Sequence, residues 1–201
     1  MAIDYYAKME SGKFYHVYNR TNNNEIAFKS NENYPYFLGK VEKYLPECLD
    51  IWAFCLMPTH FHFLVKVKEG FDSAYIEEQM RVLQMGYTKA INKRHNRHGS
   101  LWQQRFRRVL QREEHWIMRT LCYVHHNPIH HNYTKEYDEW QYSSYHDYIT
   151  NIESPYPWLV KTAALNWLSE DETKQKAAFI DFHEVYKHNF NRRDYENDEI
   201  F

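Results

Sequence analysis

His60 and His62 stand two residues apart in CLMPTHFHFLVKV (Cys55 to Val67), inside a run that otherwise reads as a buried strand. Side chains in a β-strand alternate with a period of two, so Phe61, Phe63, Val65 and Val67 face one way and His60, His62, Leu64 and Lys66 the other. The apolar face is the core face, and the two imidazoles stand side by side on the opposite surface. There, one nitrogen from each ring can bind a single metal ion. With 13 histidines in 201 residues, roughly one H-x-H pair arises by chance. The pair therefore gains chemical meaning only from a third ligand and a group for the ion to activate.

A later segment, LCYVHHNP (Leu121 to Pro128), supplies candidates for both. Ile117, Leu121 and Val124 form the core stripe of a helix, and Tyr123 and Asn127, four apart, share a face beside that stripe. Arg119 precedes Tyr123 by one turn. The helix is expected to end near Asn127, because a proline disfavours the α region for the residue before it. A tyrosine hydroxyl, with a pKa near 10, is a weak nucleophile at neutral pH and needs a cation or a base beside it to attack phosphorus. Against that, any one of 18 tyrosines is more commonly an amphipathic packing residue whose hydroxyl finds a partner.

Charge is uneven along the chain. The formal net charge is −2, yet Lys89 to Arg112 holds eight Lys or Arg and no acidic residue, while Ser169 to Phe201 is rich in Asp and Glu. The ordinary reading of such a block is a solvated face; the functional reading is a surface that tracks phosphates. Arg105, Arg107 and Arg108 lead that second reading, with Lys89, Lys93 and Arg97, each four apart, as a second stripe. Trp102, Gln103 and Gln104 are the residues there able to stack on bases or read them.

The elements that must position these groups follow from pattern. KFYHVYNR (Lys13 to Arg20) has strand composition; NENYPYFLGKVEKYL reads as a helix; Leu49 to Met57 and His60 to Lys68 form a hairpin turning at Met57-Pro58-Thr59. Apolar residues at 76, 80, 83, 87 and 91 predict a long amphipathic helix from Asp72 to His95, closed by Gly99. LWQQRFRRVL (Leu101 to Leu110) alternates as a strand, with Gln103, Arg105 and Arg107 on one face. The order strand, helix, hairpin, helix, strand, helix argues for an α+β domain whose antiparallel sheet is covered by helices on one side, leaving the other face available. Residues 1–150 are expected to form this domain, and 151–201 a helical C-terminal extension. Cys48, Cys55 and Cys122 make no C-x-x-C pair and suit reduced core thiols. With no run of about 18 apolar residues and no apolar leader at the start, a cytoplasmic location without membrane contact is expected.

Taken together, MPTHFHFLVKV, GSLWQQRFRR, LCYVHHNP and DEWQYSSY, in this order over roughly Lys13 to Tyr148, resemble the REP-associated tyrosine transposases, a branch of the single-tyrosine HUH transposases. The resemblance implies a ferredoxin-like α+β sandwich in which His60, His62 and Asn127 hold Mg²⁺ or Mn²⁺ and Tyr123 is the nucleophile. It implies a single-stranded DNA substrate bearing a palindromic hairpin, cleaved and rejoined through a 5′-phosphotyrosine linkage by a monomer or homodimer. One departure is His126, where the family commonly has a small or apolar residue; it adds a competing ligand, discounted because it points nearly opposite the core stripe. Two other readings stand beside this one. The first is a non-catalytic hairpin DNA or RNA binding protein on the same sheet. The second is a metal-dependent hydrolase that uses water in place of Tyr123.

Overall fold

The computed structural model describes residues 3–150 and 153–190; the end of the acidic segment, 191–201, lies outside them. The elements run β1 (Phe14–Arg20), α1 (Asn33–Tyr44), β2 (Leu49–Met57), β3 (His60–Val67), α2 (Ser73–His95) and β4 (Arg107–Gln111). Then come α3 (Glu114–His130), α4 (Tyr145–Ile149), α5 (Lys161–Leu168) and α6 (Glu172–Asn189). The four strands form one antiparallel sheet in the order β2-β3-β1-β4, the ferredoxin-like arrangement expected.

The alternation of β3 sorts the molecule into layers. Phe61, Phe63 and Val65 pack with Phe37 of α1 and with the α2 stripe Ile76, Met80, Leu83, Tyr87 and Ile91, all almost fully buried. Each such side chain stabilises the fold by about 1.5–3 kcal/mol. The opposite face is not left open: α3 lies across β2 and β3 there. The reason is in β2, where Ala53, Cys55 and Met57 share the imidazole face, in register with Leu64, His62 and His60, and form an apolar strip that requires a cover.

Three boundaries differ from expectation. Asp72 caps α2, accepting the Tyr75 backbone N–H at 2.9 Å, but the helix ends at Asn96 in the left-handed region (φ 47°) rather than at Gly99. Asparagine tolerates that conformation almost as glycine does. The predicted strand from Leu101 shortens to Arg107–Gln111, since residues 101–106 are held by other means, such as the bond from the Gln103 N–H to the Arg20 carbonyl. Helix α3 runs through Pro128 to His130. Proline removes the donor that the Val124 carbonyl would meet, and the Asn127 side-chain amide stands in, donating to the carbonyls of Tyr123 at 2.9 Å and Val124 at 3.5 Å.

The C-terminal helices share the core of the sheet domain. The Val160 N–H donates to the Ile51 carbonyl on β2, and α6 packs on α3 and α4. A buried chain of polar groups joins them: Ser144 Oγ lies 2.8 Å from His125 Nε2, His125 Nδ1 lies 2.9 Å from His183 Nε2, and His183 Nδ1 lies 2.8 Å from the Phe179 carbonyl. Burial pushes the His183 imidazole down to about 3 and His126 down to about 4, from an ordinary 6.5. His125 also falls well below its ordinary value through burial. Below pH 6.5 the unfolded chain binds protons that the folded chain refuses, so stability falls as pH drops from 6.5 towards 4, with no contribution from these groups above 6.5. Thermal melts across pH 8 to 4 should show that decline. His183→Leu should make it shallower, since His125 and His126 remain, while lowering stability at pH 7.5 by about 1–3 kcal/mol because the His125 N–H loses its acceptor.

Candidate active site

Antiparallel pairing places the chemistry in cross-strand rows. Tyr18 of β1 is in register with His62 of β3 on one side and Arg107 of β4 on the other, and Arg20 is in register with His60. His62 is buried, and its Nδ1 lies 2.9 Å from Nε2 of His16, one pleat along β1. The His16 and His62 rings stack at 5.1 Å and 17°, and Tyr18 stacks on both. The His60 ring stands 5.1 Å from His62, almost perpendicular, with its Nδ1 3.0 Å from the Thr59 hydroxyl. Nδ1 of each ring thus lies beside a polar partner.

Helix α3 supplies the other wall. Thr120 Oγ1 donates to Gln111 Oε1 at 3.0 Å and ties the helix to β4. One turn on, the Tyr123 ring meets His16 and His62 edge-on, at 5.5 and 5.7 Å. Tyr123 is 1% exposed and belongs to a cluster with Cys122 and Tyr186, against which Phe182 and Phe190 pack. Burial raises the Cys122 thiol well above its ordinary value, so it stays a protonated packing group.

A divalent ion would need a third ligand besides the two imidazoles. Among the described residues no three His, Cys, Asp or Glu side chains are placed to hold one. Asn127 suits the role in another way: it is fully buried, its amide nitrogen is used by the helix, and its Oδ1 has no hydrogen-bond partner. An unsatisfied buried carbonyl costs about 1–3 kcal/mol unless something meets it, so two imidazoles and this amide oxygen form a fitting set for Mg²⁺ or Mn²⁺. His126 is no competitor. It is buried under α6, its Nδ1 3.1 Å from the Tyr137 hydroxyl and its ring against Phe190.

The basic block divides. Arg107 lies half-buried between the rings of Tyr5 and Tyr18, at 5.2 and 5.9 Å, in the same row as His62. Arg119 of α3 lies over Trp116 at 5.2 Å. Gln103, Gln104 and Arg105 line a groove beside α2, where Arg105 also faces Tyr6. Lys89 and Lys93 are exposed on α2, in the layer on the other side of the sheet from the imidazoles. Three expected DNA contacts are engaged within the protein itself. Trp102 is 3% exposed, packed against Phe28, Phe37, Phe61 and Tyr87, because the chain there is no longer a strand and turns its indole into the core. Arg97 makes a two-point ion pair with Glu25, and Arg108 is held by Glu77 and the Ala7 carbonyl. Composition alone missed His16, Tyr18 and Tyr5. The signal for two of them was present, since His16, Tyr18 and Arg20 alternate onto one face of KFYHVYNR.

The strand that carries the two histidines belongs to a four-stranded antiparallel sheet and faces the tyrosine of α3. The chain is similar in sequence to proteins named REP-associated tyrosine transposase. It is 29% identical over 113 residues to a protein of Haemophilus influenzae provisionally named as one, covering 53% of this chain and 64% of the relative. It is 26% identical over 125 residues to the REP-associated tyrosine transposase of Escherichia coli K12, covering 59% and 67%. The chain thus spans about two thirds of the length of these relatives. A solved structure described as a REP-associated tyrosine transposase bound to a REP hairpin shares the fold, with a TM-score of 0.62 and 20% identity over 77% of this chain and 90% of that one. No family model matches the chain.

The division of the basic block is testable by stability and binding measured together. Trp102→Ala should cost about 3–5 kcal/mol, and Arg108→Ala about 1–3 kcal/mol, since water reaches the partly exposed Glu77. Arg105→Ala should leave stability within about 0.5 kcal/mol but lower the salt dependence of oligonucleotide binding by about one unit of log–log slope.

Proposed function

We propose that this chain cleaves and rejoins single-stranded DNA bearing a hairpin, with Tyr123 as nucleophile. The observation that carries the reading is the placement of the Tyr123 ring edge-on over His62 and His16, on the one helix that also offers the orphaned oxygen of Asn127. The hairpin as substrate class comes from the two transposase relatives and from the REP hairpin to which the structural neighbour is bound.

His60, His62 and Asn127 would hold Mg²⁺ or Mn²⁺, which supplies Lewis-acid polarisation of a phosphate oxygen when bound. Arg107, clamped by two aromatic rings in the His62 row, presents its guanidinium to the same phosphate; a planar fork held in place loses little freedom on binding. The Tyr123 oxygen attacks phosphorus in line, giving up its proton, and the 3′ oxygen leaves and takes one up. The products are a 5′-phosphotyrosine ester and a 3′-hydroxyl, which another strand end can use to reverse the step. The ester keeps the phosphodiester's energy, so joining needs no nucleotide. Gln103, Gln104 and Arg105 extend the DNA contact along the groove beside α2, with Arg119, Lys89 and Lys93 as outlying cations.

The 1% exposure of Tyr123 favours one other reading, a hairpin DNA or RNA binding protein that performs no chemistry. Incubation with hairpin-bearing single-stranded oligonucleotides and Mn²⁺, followed by denaturing gels, separates the two. The wild type should form an SDS-resistant protein–DNA band that Tyr123→Phe abolishes and that His60→Ala or His62→Ala reduces at least about 100-fold. Binding without a covalent band would establish the second reading, and cleavage that survives Tyr123→Phe would mean that water is the nucleophile.

A further inference from the structure

His16 has no role in the reaction proposed above, yet it makes a close polar contact to a proposed ligand histidine. Its Nε2 lies 2.9 Å from His62 Nδ1, with both residues at most 3% exposed. Two neutral imidazoles can share that proton in two ways. If His62 Nδ1 carries it and His16 Nε2 accepts, the His62 Nε2 lone pair is available to a metal ion. If His16 donates, His62 must carry its proton on Nε2 and the ligand nitrogen is blocked. The surroundings also fix the ring plane. His16 is stacked on His62 and on Tyr18 and meets Tyr123 edge-on, so neither imidazole can turn without disturbing three neighbours.

We propose that His16 is a positioning residue that accepts the Nδ1 proton of His62 and so holds Nε2 ready for the ion. This rests on the reading of His60, His62 and Asn127 as a metal site. At His60 the hydroxyl of Thr59 lies beside Nδ1, and since it can donate or accept it does not by itself select a tautomer. Metal-binding histidines commonly give their second ring N–H to such a partner, whose loss lowers metal affinity about 10–100-fold.

The test compares the wild type, His16→Gln and His16→Leu as full chains. Free Mn²⁺ is titrated by its six-line EPR signal, and the His62 tautomer is read by long-range ¹H–¹⁵N correlation in metal-free protein. His16→Gln keeps an acceptor in reach and should bind Mn²⁺ within about threefold of the wild type, with His62 protonated on Nδ1. His16→Leu should weaken Mn²⁺ binding about 10–100-fold and release the tautomer preference while its melting curve stays cooperative. Equal Mn²⁺ affinity in His16→Leu and wild type, or an Nε2-protonated His62 in the wild type, would overturn the assignment. A wild type that binds no Mn²⁺ at all would instead overturn the metal site from which it follows. If His16→Leu fails to fold, the wild-type tautomer and the affinity of His16→Gln decide the matter alone.

Discussion

The register of β1 against β3 is the constraint on which the chemistry depends. Because the side-chain period is two, slipping that pairing by one residue would send His16, Tyr18 and Arg20 into the layer of phenylalanines and leave His62 facing Val17 or Asn19. The register is held where it is by the core. Phe61, Phe63 and Val65 have a single acceptable side, under α1 and α2, and burying them there obliges the imidazoles to face α3. Polar groups that would be expensive in isolation are thus placed by the apolar residues between them.

That obligation shapes the second layer. A helix crossing a face that carries both apolar β2 side chains and two histidines cannot be uniformly greasy. Helix α3 meets Ala53, Cys55 and Met57 with its apolar residues and turns Tyr123 to the histidines. Its outward side is no more exposed to water, since His125 and His126 are taken up by α6, Tyr137 and Ser144. The tyrosine-bearing helix is consequently gripped from both sides, by the sheet and by the C-terminal helices, and its position along the sheet is set by packing as much as by hydrogen bonds.

Much of this was legible in the residues. Period-two alternation located His60 and His62 on their face, the 3.6-residue period located Tyr123 and Asn127, and the element order specified the sheet. What escaped were features settled by distant partners. Nothing local to LWQQRF says that the indole of Trp102 will complete a core formed by Phe28, Phe37 and Tyr87, or that Arg97 and Arg108 will find Glu25 and Glu77. Charge runs read along a chain count every cation as available, whereas folding assigns some to carboxylates far away in sequence. His16 and Tyr18 illustrate the opposite failure. Their alternation was visible, but their value came only from the neighbouring strand.

Pro128 governs how the side chain of Asn127 is used. Because the proline withholds a donor from the Val124 carbonyl, the residue before it must lend its side-chain nitrogen to the helix, and Asn127 does so while turning its oxygen the other way. A carboxylate could offer the oxygen but not the nitrogen, so an aspartate here would leave the Val124 carbonyl without that donor. One proline inside the helix thus makes an amide, rather than an acid, the side chain that suits the position before it.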